Sequence, residues 1–447
     1  MKAIILSFLF CCAFSYSQKV DFNYLPKNKD SVVRYINTVH EKKVVKFGDS
    51  YKKVITENIK EREKQFIERV KDSSFIFNKK ITSYLNSILK EIYRANPQLD
   101  NKDFYFFVEK SQIPNAACYG NGIFTVNLGL FNFINSDDEL AFIICHEMAH
   151  YYLEHNDKSL LKYFETINSK EVKKKVRAVK NTQYGKRKAY SELMDELSFN
   201  FLKRSQGVEI QADSLGLLLF KTTKYNINAS ISSLKNLEKA DGLIFNQESK
   251  LKEHLNFENY PFKDVWLAKE ETLFDLSQKS DDYIKDSDSI STHPAIPLRI
   301  KKINLLINQT ENKTSVDSIN LEEIKKIAAL ISINNFLDSN QLDLALYQCL
   351  LLYNQKLIDQ KDYTSTMSQL LKKTYELKNN HSFGKYVSPI YPFSDELYLN
   401  EIKLFLHNIE LKNVKKIGLN FCLSNQEFMK DDLSFKSTLQ FFKTLNP

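Results

Sequence analysis

Hydrophobic residues recur at helical spacing along most of the chain and at strand spacing in one short stretch. Residues 27 to 72 are highly charged and read as one or two amphipathic helices. From Phe75 a clearer helix begins. Ile81, Tyr84, Leu85, Ile88, Leu89 and Ile92 fall three or four apart, one stripe of a helix that Pro97 ends. Phe104 to Val108 reads as an aromatic strand. The turn Tyr119-Gly120-Asn121-Gly122 separates two more strand candidates, Asn115 to Cys118 and Ile123 to Asn127. Helix returns at Ser136. Glu139 completes a capping box with it, and Asp137 and Asp138 occupy the first turn, where the helix dipole favours carboxylates.

Long helices follow through the basic stretch to Leu202, and a new helix is expected near Val208, after Gly207. Ser277 to Ser291 is polar with four Asp and reads as a loop, and Asn308 to Ser318 reads as a linker. Beyond it, Leu321–Phe336, Leu342–Ile358 and Tyr363–Leu377 are successive helices of similar length, a plain bundle or a set of helical-hairpin repeats. The expected fold is mainly α, of α+β type with a small sheet. A helical segment (18–74) precedes a central domain (75–307), the linker (308–318) and a helical C-terminal domain (319–447).

Composition agrees with packed helices: of 447 residues 43% are hydrophobic and 26% charged, with ten Gly and nine Pro. The net charge of +8 owes much to Lys170–Lys188. No aromatic residues interleave with that run, so it reads as a solvated helix face and no nucleic-acid partner is expected. Lys2 followed by the apolar stretch Ala3–Phe14 reads as a signal peptide, with Ser15 and Ser17 placing cleavage before Gln18. That predicts an exported protein, periplasmic or secreted, free or membrane-associated. Phe8-Leu9-Phe10 is too bulky for a lipoprotein signal ahead of Cys11 and Cys12. No later run approaches 18 apolar residues, so the mature chain is expected to have no transmembrane span. Cys118, Cys145, Cys349 and Cys422 show no C-x-x-C spacing, and an oxidising compartment would permit a Cys349–Cys422 bridge.

The candidate chemistry lies in His146-Glu147-Met148-Ala149-His150. Two histidines four apart share a helix face and can reach one Zn²⁺ at about 2.0–2.1 Å. Glu147 is turned aside yet close enough to act on a water there, the H-E-x-x-H arrangement of metalloproteases. A metzincin would need Gly at 153 and His at 156, where this chain has Leu153 and Asn156. His155, five residues past His150, faces elsewhere and is expected to pack or to support the site rather than to ligate. The third ligand is sought downstream, where Glu209, Ala212, Asp213 and Gly216 share a face at i, i+3, i+4 and i+7. Glu209 between small residues suits close helix packing at a metal, and Asp213 could accept the second N–H of a ligand histidine.

These motifs resemble the HtpX-like and CAAX-prenyl-protease-like zinc metalloproteases, most of all soluble exported members, from about Leu85 to about Ile303. Asn115-Ala116-Ala117 with Gly120-Asn121-Gly122, and Gly129-Leu130-Phe131, resemble the family's stretches around its edge strand. Thr292-His293-Pro294 with Arg299-Ile300 resembles its T-H-P motif. Cys118-Tyr119 depart from the usual approach to the glycines. The resemblance implies a zincin-type domain with one zinc per chain, held by His146, His150 and Glu209, with Asp213 behind them and Glu147 as general base. It implies that His293, and with it Arg299, reaches the site, His293 donating to the oxyanion or binding zinc as a fourth ligand. Asn115 and Gly122 would contact substrate, and Ile123–Asn127 would pair with an extended polypeptide. The expected function is a metalloendopeptidase acting on proteins or peptides of the cell envelope, in quality control. The alternatives are a zinc-binding chaperone or assembly factor holding a protein partner through its C-terminal helices, and a helical scaffold with a chance motif.

Overall fold

A computed structural model describes residues 33–34, 36, 51–72, 74–99, 104–120, 122–243, 245–268, 296–307, 320–390 and 396–445. The signal-peptide segment, the Ser277–Ser291 stretch, the 308–318 linker, Asn121 and Thr292-His293-Pro294 lie outside the described residues. In chain order the elements are α1 (Lys52–Lys71), β1 (Phe75–Ile76), α2 (Lys79–Ala95), β2 (Tyr105–Glu109), β3 (Ala116–Gly120) and β4 (Ile123–Asn127). Next come α3 (Leu128–Phe133), α4 (Asp137–Tyr152), α5 (His155–Ile167), α6 (Lys170–Asn181), α7 (Lys186–Lys221), α8 (Ala229–Leu243) and α9 (Ile296–Ile307). The C-terminal half adds α10 (Leu321–Asp338), α11 (Leu342–Asn354), α12 (Gln360–Asn379), α13 (Leu397–Asn408), α14 (Leu411–Ser424) and α15 (Leu433–Thr444). The fold is mainly helical with one small sheet, as the hydrophobic spacing implies.

Local signals account for most of these boundaries. All six apolar residues of the α2 stripe are buried, and Asn78 caps the helix by accepting from the Lys80 and Ile81 amides. Phe75 and Ile76 are not the start of that helix but a two-residue strand, paired antiparallel to β2. Ser136 Oγ accepts from the Glu139 amide at 3.2 Å. The expected capping box is shifted by one residue: Glu139 accepts from the Asn135 amide, not that of Ser136. Gly207 does not break the chain into two helices either. α7 runs through it, and no heavy atom lies within 4 Å of where its Cβ would be. A glycine inside a helix costs only about 1 kcal/mol, which packing of the following turns offsets.

The sheet order is β1-β2-β4-β3, with β2 and β4 parallel and the other pairs antiparallel. β4, expected to receive substrate, is therefore interior, and every one of its residues is buried. β1 and β3 are the edge strands, and β3 is the one that packs against α4. One core gathers α2, the sheet, α3, α4, the end of α7, α8 and α9. A second gathers α11 to α15 with Leu251, Leu255 and Trp266. α10 belongs to both: Leu321, Ile324 and Ala328 lie in the first, Ala329, Ile333 and Leu337 in the second. Cys349 and Cys422 are buried free thiols within the second core, not a bridge. No described helix is long and apolar enough to cross a membrane.

Candidate metal centre

The site is assembled where α7 crosses α4 without a side chain between them. A Cβ on Gly216 would stand 2.9 Å from His146 Cα and 3.0 Å from His146 N, so only glycine lets the backbones approach this closely. The contact brings Glu209, two turns earlier on α7, over the histidine face of α4. His146 Nε2 lies 3.0 Å from His150 Nε2. Glu209 Oε2 is 3.4 Å from the first and Glu209 Oε1 is 3.5 Å from the second. A tetrahedral ion bound at about 2.05 Å spaces its ligands roughly 3.3 Å apart, so the three donor atoms already span one face of such a tetrahedron. Two neutral imidazoles and one carboxylate are a donor set that suits zinc.

A charged layer backs His146. Its Nδ1 is 2.9 Å from Asp213 Oδ1. Asp213 in turn receives both Arg299 Nε and Arg299 Nη2 at 2.7 Å. Arg299 Nη1 also reaches Glu209 Oε2 at 3.2 Å. Asp213 and Arg299 are almost fully buried. Burial by itself would raise both carboxylic acids, but hydrogen bonds outweigh it: His146 acts on Glu209, and Arg299 and His146 act on Asp213, so both stay below the usual carboxylate range. Burial disfavours the His146 imidazolium, yet Asp213 and Glu209 push its pKa up to about 10. The field that attracts a proton there would attract a metal dication.

His150 has a neutral backing instead. Leu153 ends α4, and Glu154 adopts a left-handed conformation (φ 56°) that turns the chain into α5. That turn returns His155 to the site, with its Nδ1 3.0 Å from His150 Nδ1 and its Nε2 3.2 Å from Gln211 Oε1. Burial holds His155 below its ordinary pKa and, together with the His146 charge, brings His150 down to about 3. A consistent proton order follows. His150 Nδ1–H donates to His155 Nδ1 and His155 Nε2–H donates to Gln211, which leaves His150 Nε2 free to ligate.

Glu147 sits beside this cluster. Its Oε2 accepts from the Cys118 amide of β3 at 2.7 Å, and its Oε1 is 4.0 Å from His146 Nε2. Burial is the main cause that raises its pKa to about 7. Asn156 donates to the Cys118 carbonyl at 2.8 Å. The H-E-x-x-H spacing gives no signal for this Asn156 contact or for Gln211, because both depend on the α4–α5 turn.

A cleft of about 250 Å³ runs between β3 and α4, walled by Leu130, Phe142 and Leu234 and open to His146, Glu147 and Glu209. Asn115 lines it, while its carbonyl accepts from the Asn127 amide. Gly122 does not line it: at φ 74° it closes the β3–β4 turn, and its carbonyl accepts from Tyr105 N. Arg299 lines the cleft too, but its guanidinium is occupied by Asp213 and Glu209 rather than free for substrate. His293, expected at this cleft, lies outside the described residues.

Among curated proteins, none matches the chain. The sequence model of Peptidase family M48, a family of zinc-dependent peptidases, matches residues 79–307, from the start of α2 to the end of α9 and over half of the 447 residues. With His146, His150 and Glu209 converging inside the matched stretch, the chain belongs to peptidase family M48.

Proposed function

We propose that the protein is a zinc-dependent metalloendopeptidase, an HtpX-like member with no membrane-crossing helix among its described residues, that cuts unfolded or misassembled proteins in the cell envelope. The observation that carries the reading is three donor atoms at tetrahedral spacing with the Glu147 carboxylate beside them. His146, His150 and Glu209 would hold the ion. When bound, zinc supplies a Lewis acid for the scissile carbonyl and acidifies water.

The chain's own residues do the rest. Glu147 Oε2 is tied to β3, so Oε1 is the oxygen that accepts the proton of the attacking water and passes it to the leaving amine. Asp213 and the His155–Gln211 pair hold the two imidazoles in the tautomers that leave Nε2 for the ion. The Cys118 amide and carbonyl point away from β4, toward Glu147 and Asn156. Those two groups are taken, so the outward backbone groups left for an extended substrate on β3 are those of Ala116, two residues earlier, which face the same way. Backbone pairing reads few side chains, which supports broad action on unfolded chains. The N-terminal stretch Lys2–Ser17 supports export.

The test has two parts. The purified protein binds about one zinc per chain, lost in His146→Ala. Glu147→Gln keeps the zinc and loses peptide cleavage by a factor of about 10³ or more. Full cleavage by Glu147→Gln would remove the assigned base, and unchanged function of that variant in the host would favour an assembly role.

A further inference from the structure

The metal cleft has a neighbour. A second chamber of about 210 Å³ lies where the metal-bearing core meets α11, and Pro114 and Phe133 line both spaces. Carboxamides dominate its wall: Gln112 and Asn132 from the first core, Gln348 and Gln355 from α11 and its end. Gln348 is the unusual one. It sits in the apolar run Leu344 to Leu352, is only 9% exposed and has no hydrogen-bond partner among the described residues. Asn132 Oδ1, on the same wall, is also buried without a partner. An amide set without a partner in an apolar run is unfavourable, and one on a cavity wall points to something in the cavity that pairs with it.

We infer that this chamber is a second substrate subsite, which binds the backbone of an extended polypeptide beyond the residues held at the metal. The assignment rests on the peptidase reading. Three features support it. Gln112 Nε2 already donates to the Lys110 carbonyl and Gln355 Nε2 to Gln247 Oε1, but each keeps a second N–H and its own carbonyl oxygen, uncharged groups that match the C=O and N–H of a peptide unit and discriminate little among side chains. The chamber lies on the path of the substrate: Gln112 and Pro114 lead directly into β3, so a strand laid along β3 and continued past Ala116 meets them next. The wall opposite is helix α11, which makes the C-terminal layer part of the substrate site. Cleavage then favours long unfolded chains over short peptides.

Reduced, carboxymethylated α-lactalbumin is digested with the full-length zinc-loaded protein and a cut site is mapped. Two fluorescent peptides copy that site, one of about six residues, roughly 20 Å when extended, and one lengthened by about six residues at each end. Their binding to the Glu147→Gln protein is measured by anisotropy. The longer peptide is expected to bind at least about tenfold more tightly. Adding Gln348→Leu, near in shape but without the amide, or Gln355→Ala at an exposed position, removes most of that advantage and leaves the short peptide unchanged. Melting curves confirm that each variant is folded. Equal affinity of the two peptides, or equal weakening of both by the variants, overturns the second subsite and leaves the peptidase reading standing. A wild-type protein that cuts neither lactalbumin nor peptide overturns the peptidase reading and this assignment with it.

Discussion

The two halves of the molecule bury different things. The half with the candidate metal centre takes Asp138, Glu139, His146, His155, Asp213 and Arg299 out of water, most of them joined in one network. The C-terminal half buries tyrosines, leucines and phenylalanines, and among its described charged residues only Asp343 is buried. Charge is expensive to bury and is tolerated only when paired. The first half therefore gives up stability to fix polar atoms in place, while the second is held by apolar packing. The halves should respond differently to the same kind of substitution.

Arg299→Met should have the largest effect. It leaves Asp213 and Glu209 buried without their cation, and removing one partner of such a group destabilises by about 3–5 kcal/mol. Thermal melting and zinc titration should both register it; a variant that melts like wild type would show that the network is not the costly element. Two glycines give the sharpest contrast. At Gly216 an added methyl meets the His146 backbone, which cannot give way, and at Gly418 it meets the ring tip of the buried Phe442, a side chain rather than backbone. Each alanine should cost roughly 1–3 kcal/mol through overpacking. Only Gly216→Ala should also weaken zinc, as chelator competition would reveal, and equal zinc affinity in both would erase the distinction.

His155→Ala removes the acceptor behind His150. Zinc affinity should fall about 10- to 100-fold, with a small change in melting temperature. His155→Asn, whose carbonyl can accept the same proton, should recover part of it.

The smallest effect tests the second half. Burial lowers the folded pKa of Lys378 to about 8, below its ordinary 10.5. Below pH 8 both folded and unfolded chains carry the charge and the burial penalty is fully felt. Between pH 8 and 10.5 the folded state loses its proton first, so wild type gains stability as pH rises. Lys378→Met should melt slightly higher than wild type at pH 7, and the gap should close by pH 10.5. A gap that widens would reverse the sign.

What could be read from the sequence was local. The His146–His150 spacing, the small residues around Glu209 and Asp213, and the α2 stripe are statements about residues within two helical turns. The features that depend on distant partners were not legible. β4 looks like an edge strand until β3 is known to fold outside it. Gly207 looks like a helix boundary until the packing of α7 is known. His155 reads as a packing or supporting residue, but its contact with His150 is not legible, because the left-handed Glu154 that returns it to the site has no glycine to signal it. Nothing in the period of α10 shows that its first half serves one core and its second half the other.

That divided helix has a consequence for the molecule as a unit of folding. α10 packs directly on α3, whose Leu128, Leu130 and Phe131 are buried beneath the metal cleft. A chain ended at Ile307 would contain every metal donor yet expose the underside of its own cleft to water. The two halves should melt in a single transition, and a minimal peptidase cut at the family boundary should aggregate rather than digest. The C-terminal helices are thus less an appendage than the other face of the same wall.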